Sequence, residues 1–258
     1  MISLYLFKGL IALHIAFGAP GLLSFWIPIL AKKGGARHSY WGRLFAIMML
    51  VTASAAVGMA TLTLLFPMET HPHLVHHPDF ANPVLVRIVF GWMMLYLAIL
   101  TINLAWYAWC CASYKTKHER HRHGLNFALQ PILLIASANA AYQGYLINQP
   151  MVMAFSLVGF ATVATNLYFM YKPNPRPIDW LLEHIKGIVG TGISVYTAFF
   201  AFGAVRLLPE AALSPVLWSV PLVIGISLIL YHQQKVLRRF NRSRSAAKKP
   251  AGAAAVAK

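Results

Sequence analysis

Four histidines lie close together in one short polar segment, and their side chains are the most obvious candidates for chemistry in the sequence. They are His71, His73, His76 and His77. Glu69 and Asp79 flank them, and imidazole together with carboxylate suits zinc or copper. The spacing matches no established ligand motif, and exposed loops often carry histidines without a function. The four are therefore candidate metal ligands, with a solvated loop as the alternative.

Polar side chains also occur inside long apolar runs, where each needs a hydrogen-bonding partner or a function. Their distances from the ends of the runs sort them into two layers. The layer nearer the basic ends contains Asn103, Gln130, Asn166, Glu183 and His184, and the other contains His14, Asn139 and Gln143. We predict that His14, His184, Asn103, Gln130, Asn139 and Asn166 bind a ligand. The alternative for the amides is hydrogen bonding between helices.

Small residues indicate where helices approach each other. Gly18 and Gly21 lie on the same side of their run as His14, so we expect this histidine to point inwards at a close helix contact. Gly190 and Ser194 belong to a second stripe, with a small residue every four positions, which is typical of tightly packed membrane helices.

A second group of histidines lies among the lysines and arginines that flank the apolar runs. It contains His38, His118, His121, His123, His184 and His232. The sequence does not indicate which of them meet in space. Histidines in such places are more often solvated or bound to lipid phosphate. We expect the group at the cytoplasmic surface, with His38 as a further ligand-binding candidate.

Seven apolar runs, each long enough to cross a bilayer, position these side chains. They cover approximately 4–30, 42–66, 84–110, 125–147, 151–171, 180–206 and 214–232. The first contains Pro20 and Pro28, which predict a kink or a tilt. The predicted fold is all-α, a polytopic membrane bundle of seven transmembrane helices.

The distribution of positive charge predicts the orientation. Nineteen of the 22 Lys and Arg residues fall in the first, third and fifth loops or in the C-terminal tail, and the other three are Lys8, Arg87 and Arg206. These loops and the tail share one side of the membrane only with seven spans. The positive-inside rule then places the N-terminus outside and the C-terminus in the cytoplasm.

The composition excludes an ordinary soluble protein. Hydrophobic residues make up 59% of the chain and charged residues 11%, less than half of the roughly 25% in an average soluble domain. The net charge of +16 comes from short clusters beside the apolar runs, which does not favour a nucleic-acid partner. We predict one membrane domain over residues 1–240 and a disordered basic cytoplasmic tail over residues 241–258.

Three segments resemble a family of bacterial multi-pass membrane proteins of unknown function. The first runs from His14 through Lys33-Gly-Gly-Ala-Arg-His38-Ser-Tyr-Trp-Gly42, the second is Trp180-Leu-Leu-Glu-His184-Ile-Lys-Gly, and the third is Trp218…Pro221…Gly225. This chain has Ser39 where the family usually has Arg after the loop histidine. The family has no established activity, so the resemblance implies only a fold and three candidate positions, His14, His38 and His184.

These observations predict a protein of the bacterial cytoplasmic membrane that binds a small ligand, lipid, quinone or proton in its polar layers. A haem- or metal-binding redox protein is the alternative, and a zinc-dependent hydrolase with ligands from His38, Glu183, His184 and His232 a further one. His14 and His184 lie at different depths, which disfavours a bis-histidine haem. The chain has no nucleotide or nucleophile motif, which favours a non-enzymatic role. Its expected partner is the bilayer, including anionic lipids on the cytoplasmic face.

Overall fold

The computed structural model describes residues 2–76, 80–203 and 215–247, and within these the chain is entirely helical apart from turns. The α-helices are α1 (Ile2–Ser24), α2 (Trp26–Leu30), α3 (Ala36–Leu65), α4 (Pro67–Thr70), α5 (Pro83–Val86), α6 (Met93–Tyr114), α7 (Gly124–Leu146), α8 (Pro150–Met170), α9 (Asp179–Ala198) and α10 (Pro215–Ala247). Single 3-10 turns cover Pro72–Leu74 and His118–Arg122, and π-helical turns cover Arg87–Trp92 and Phe199–Gly203. The predicted all-α class is confirmed.

Six of the described helical segments are long and apolar enough to cross a membrane. They are Ile2–Leu30, Ala36–Leu65, Pro83–Tyr114, Gly124–Leu146, Pro150–Met170 and Ser219–Ser245. Each of the six coincides with one of the predicted runs. The remaining run, 180–206, corresponds to α9, which is a 20-residue helix but is not among the six.

Prolines determine several of the helix boundaries. The first run is interrupted at Phe25 because Pro28 cannot donate a hydrogen bond to the carbonyl of Ser24 and its ring crowds that group. The break lies in the run for which a kink or a tilt was predicted, although Phe25 itself keeps helical backbone angles. Elsewhere a proline occupies the first position of a helix, where no donor is needed, as at Pro83 and Pro150.

The helices pack mainly against their neighbours in sequence, and α6 lies at the centre. Helix α1 packs on α3, α3 on α6, α7 on both α6 and α8, and α9 on both α6 and α10. The large side chains of Tyr96 and Tyr107 on α6 are almost fully buried. Helix α6 therefore takes part in most of the contacts between helices in the interior of the bundle.

The predicted stripe of small residues on α9 lies against α6. Gly190 packs on the side chain of Leu104, and the hydroxyls of Ser194 and Thr101 are 2.7 Å apart. One turn earlier, Gly187 lies directly on the backbone of Ala108. The stripe therefore brings the two helix axes close together along most of α9.

Helix α10 is longer than its apolar run. It has 33 residues and continues through Ala247, so residues 241–247 of the predicted disordered tail are helical. The rest of that segment, 248–258, lies outside the described residues.

Candidate functional site

The three amides predicted for the inner layer meet in the structure. Asn166 donates from Nδ2 to Oδ1 of Asn103 at 3.1 Å and to Oε1 of Gln130 at 3.3 Å. Asn103 in turn donates to the carbonyl of Leu129. All three amide side chains are almost fully buried. They link α6, α7 and α8 by hydrogen bonds, which is the arrangement expected of interhelical contacts.

Hydrogen bonds extend this layer of amides from Gln130 towards the α6–α7 connection. They pass through Asn126 and His121, which were not predicted as site residues. Gln130 donates to the carbonyl of Asn126 at 2.9 Å, and Asn126 donates to the carbonyl of His121 at 2.8 Å. His121 was expected at the solvated surface, but its ring is fully buried, between Phe169 and Tyr114. Neither ring nitrogen has a hydrogen-bond partner in the described part of the chain. That expectation was wrong because the His118–Arg122 turn directs this ring into the interior, against Phe169 and Tyr114.

The second predicted layer, which contains His14, Asn139 and Gln143, does not form one site. Asn139 on α7 accepts a hydrogen bond from Gln143 at 3.3 Å, and both are half-buried. His14 is half-buried at the contact between α1 and α3, where its Nδ1 lies 3.0 Å from the carbonyl oxygen of Thr52. Gly18 packs on the Thr52 side chain, in agreement with the expected close contact.

The histidine-rich segment brings two of its members near each other, since the ring centroids of His71 and His73 are 5.9 Å apart, but their surroundings differ. His71 is buried between the rings of Phe7 and Phe90, at 5.2 and 4.9 Å, and burial lowers its pKa to about 4. His73 and His76 are exposed, and His77 lies outside the described residues. Within the described ranges, no three His, Cys, Asp or Glu side chains are grouped closely enough to hold a metal ion.

Glu183 and His184 are neighbours on α9 but face different surroundings. Glu183 pairs with Lys186 and accepts a hydrogen bond from the buried hydroxyl of Tyr107 at 2.7 Å. Lys186 also donates to the Thr165 hydroxyl at 3.0 Å. The carboxylate is thus neutralised within this group, whereas His184 bonds to the carbonyl oxygen of Ala108.

His184 and His38 are anchored in the same way. Nδ1 of His184 lies 2.9 Å from the carbonyl oxygen of Ala108, and Nδ1 of His38 lies 2.9 Å from that of Pro28. A carbonyl oxygen only accepts, so Nδ1 carries the proton in both rings. In the neutral form of each ring Nε2 is then the nitrogen without a proton, and it has no protein partner among the described residues. Histidines that bind ligands are commonly oriented in this way.

Three more basic groups belong to the same end of the bundle. Lys33 bonds to the same carbonyl oxygen as His38, that of Pro28, and Gln233, which follows His232 on α10, donates to the carbonyl of Leu182 on α9 at 3.0 Å. Burial and the charge of Lys235 both lower the pKa of Lys33. We call this group the basic cluster; its members are Lys33, His38, His184, His232 and Lys235. It joins the α2–α3 turn with the end of α9 that begins at Asp179 and with the polar end of α10.

No carboxylate pairs with the basic cluster in the described part of the chain. Asp179 is buried and holds Lys172 and Arg176 at 2.7 and 2.8 Å. Burial alone would raise the pKa of Asp179, but its hydrogen bonds to these two residues outweigh burial and lower it. Glu183 is committed to Lys186. Like charges therefore face each other in the cluster without a protein anion between them.

The local backbone also favours an anion. Helix α3 begins directly after Gly34, which has φ of 77°, and Gly35, which offers no side-chain cap. Its first N–H groups are left without a side-chain acceptor, and His38 stands in this first turn. Exposed N–H groups at a helix start attract negative charge.

The structure does not bring His14 to the basic cluster. His14 is bonded at Thr52, whereas His38 stands 14 residues earlier on the same helix. At 1.5 Å per residue this separation is about 21 Å along α3. His38 and His184 thus belong together and His14 does not. Lys33 and Lys235 were not predicted as site residues, and His232 was predicted only as a member of the second histidine group and as a possible zinc ligand; the packing of α10 beside α9 is what brings His232 and Lys235 to this end of the bundle.

No family model, curated protein or solved structure matches the chain.

Proposed function

We propose that the chain is a seven-span protein of the bacterial cytoplasmic membrane, with its N-terminus outside, and that its basic cluster binds an anionic ligand of the phosphate type. The observation that carries the binding proposal is the meeting of five basic groups without a carboxylate. The resemblance to multi-pass bacterial proteins fits the same architecture, and the resembling segments include three members of the cluster, Lys33, His38 and His184.

The seventh span is supported by the course of α9 along α6. Contacts pair Gly187 with Ala108, Gly190 with Leu104 and Ser194 with Thr101. Sequence numbers rise on one helix as they fall on the other, so the two run antiparallel at the same depth. Helix α6 belongs to one of the six apolar segments. A helix packed along it over several turns shares its position in the bilayer.

Topology is the first prediction. Reporter fusions after Asn148, Lys172 and Ala247 should report the outside, the cytoplasm and the cytoplasm, because the basic loops remain inside. The fusion after Ala247 decides the count. With α9 outside the bilayer, α10 would be the sixth crossing and would carry its end to the outer side, so an external signal there excludes seven spans.

The chemistry of the cluster suits phosphate. Lys33 and Lys235 supply charge, and a histidine that takes a proton at Nε2 becomes a second donor towards an oxyanion. Bound phosphate favours that proton, because a nearby negative charge stabilises the charged imidazole. The start of α3 adds backbone donors on the same side.

Phosphate binding is the second prediction. In an uncharged detergent, sodium phosphate should raise the unfolding temperature by about 2 °C or more relative to sodium chloride of equal ionic strength, because a ligand of the folded state stabilises it. His184→Ala and Lys235→Gln should remove this increment, whereas Lys32→Gln, an equal charge loss outside the cluster, should keep it. Equal increments in all four proteins would refute the proposed site.

A metal ion is the second candidate, because both unprotonated Nε2 atoms are oriented as in metal sites. Two imidazoles without a carboxylate or thiolate make an incomplete ligand set, and the neighbouring lysines repel a cation. Stabilisation by Zn²⁺ but not by phosphate would favour this alternative and the redox or hydrolytic functions associated with it.

A further inference from the structure

The basic cluster lies at the boundary between helix surfaces that face lipid and the polar ends of the helices. Leu30 on α2 is 83% exposed and comes three residues before Lys33. Leu230 and Tyr231 on α10, exposed by 52% and 58%, directly precede His232. In a membrane protein such exposed apolar side chains contact acyl chains. Lipid tails therefore have access to both sides of the cluster.

Helices α2 and α10 form the two sides of this access. Ile29 on α2 and Leu228 and Ile229 on α10 pack against the same core of Phe45 and Val189. Their exposed residues lie next in sequence and point away from that core. His184 is bonded to α6 at the carbonyl oxygen of Ala108.

The cluster is also held more rigidly than a basic patch on a surface. Lys33 donates from Nζ to the carbonyl oxygens of Pro28 and Ile29, so its ammonium group is fixed over the end of α2. His38 shares the Pro28 carbonyl, which ties its ring to the same turn. Lys33 and Lys235 are exposed, as Lys32 and Arg238 are, but Lys33 and the two histidines are held by hydrogen bonds to carbonyl oxygens, and Lys235 lies over the ring of Tyr231. A fixed group of charges binds one anion in one place, whereas mobile surface charges attract many headgroups weakly.

We propose that the occupant of the basic cluster is the phosphate of one anionic phospholipid from the adjacent leaflet, with its acyl chains along the exposed faces of α2 and α10. This inference rests on the proposed phosphate-type site and names the source of the phosphate. A soluble phosphate presents the same oxyanion but makes no use of the apolar surfaces beside the cluster. A phospholipid supplies an oxyanion for the basic cluster and acyl chains for the apolar surfaces beside it.

The test is native mass spectrometry of the full chain, released from mixed micelles that contain phosphatidylglycerol and phosphatidylcholine with identical acyl chains. The wild type should retain one phosphatidylglycerol in preference to phosphatidylcholine. Lys33→Gln and Lys235→Gln should each lower this retention about tenfold, as expected for losing one charge-assisted hydrogen bond. The matched variants Lys32→Gln and Arg238→Gln remove the same charge nearby and should leave retention unchanged. Using Lys235 as well as Lys33 guards against misfolding, because the Lys235 side chain supports no turn.

The phosphate titration separates the two proposals. If phosphate stabilises the protein through Lys235 but phosphatidylglycerol is retained no better than phosphatidylcholine, the anion site stands and the lipid inference fails. If all four variants retain phosphatidylglycerol equally, binding is general surface attraction and the lipid inference also fails. If neither phosphate nor phosphatidylglycerol depends on Lys33 or Lys235, both proposals are refuted.

Discussion

Gly187→Leu is expected to destabilise the bundle by about 3 kcal/mol, the upper part of the usual range for overpacking. A methyl group on the Cα of Gly187 would lie 3.0 Å from Cβ of Ala108 and 3.2 Å from its Cα and N. Backbone atoms cannot rotate out of the way, so the two helices must separate. Separation would also lengthen the hydrogen bond between His184 and the Ala108 carbonyl, so two stabilising contacts are lost together.

Two other glycines provide matched controls for the thermal unfolding of purified protein. Gly190 faces only the Leu104 side chain, which can change rotamer, so Gly190→Leu should cost nearer 1 kcal/mol. Gly9 has no atom within 4 Å of an added methyl group, so Gly9→Leu should cost almost nothing. All three changes alter helix propensity equally. Similar unfolding temperatures for the three variants would show that α9 does not pack on α6 as described.

Acidification should destabilise the protein through the buried imidazole of His121. Burial lowers the pKa of His121 to about 4. In the unfolded chain a histidine titrates near 6.5. Between these values the unfolded chain binds a proton that the folded protein does not, so stability falls as the pH falls from about 6.5 to about 4. The difference corresponds to about 3 kcal/mol at the lower limit.

The variant His121→Phe should remove the part of the acid sensitivity that His121 contributes and leave the part due to His71, whose pKa burial also lowers to about 4. Phenylalanine fills a similar volume beside Phe169 and Tyr114 and has no ring nitrogen that would be buried without a hydrogen-bond partner. The free energy of unfolding at neutral pH should therefore be unchanged or higher. The measurement is urea or thermal unfolding in detergent from pH 7.5 to pH 4. His123→Phe is the control, because His123 is exposed in the same connection. An unchanged pH profile in His121→Phe would contradict the buried, neutral ring.

Hydropathy alone predicted most of the helices, because a membrane helix must be apolar over a length set by the bilayer. Depth counted from the ends of the runs also placed Asn103, Gln130 and Asn166 in one layer, and the structure brings them into contact. This prediction succeeded because straight helices of similar tilt convert position in sequence into depth. It did not reveal that the three amides hydrogen-bond to one another, nor that Oδ1 of Asn166 is buried without a partner among the described residues.

The sequence could not predict how each helix is rotated about its own axis or which helices are adjacent to it. His14 and Asn139 lie in the same predicted layer, yet they are on α1 and α7, which the bundle keeps apart. His121 and His123 are two residues apart and similarly surrounded in sequence, but one is buried and the other exposed. Only the path of the connecting turn separates their environments. The basic cluster likewise depends on which helices are adjacent.

The small residues that let α9 lie so close to α6 have a consequence for biogenesis. Helix α9 is not among the segments that are apolar enough to cross by themselves, since it carries Asp179, Glu183 and Lys186. On the proposed topology its entry into the bilayer therefore depends on partners that are already there: Tyr107 for its carboxylate and the groove along α6 for its glycines. Transfer of α9 from the translocon into the bilayer then follows the insertion of the preceding helices and depends on it. A lesion in α6 would appear first as a defect in the membrane insertion of α9.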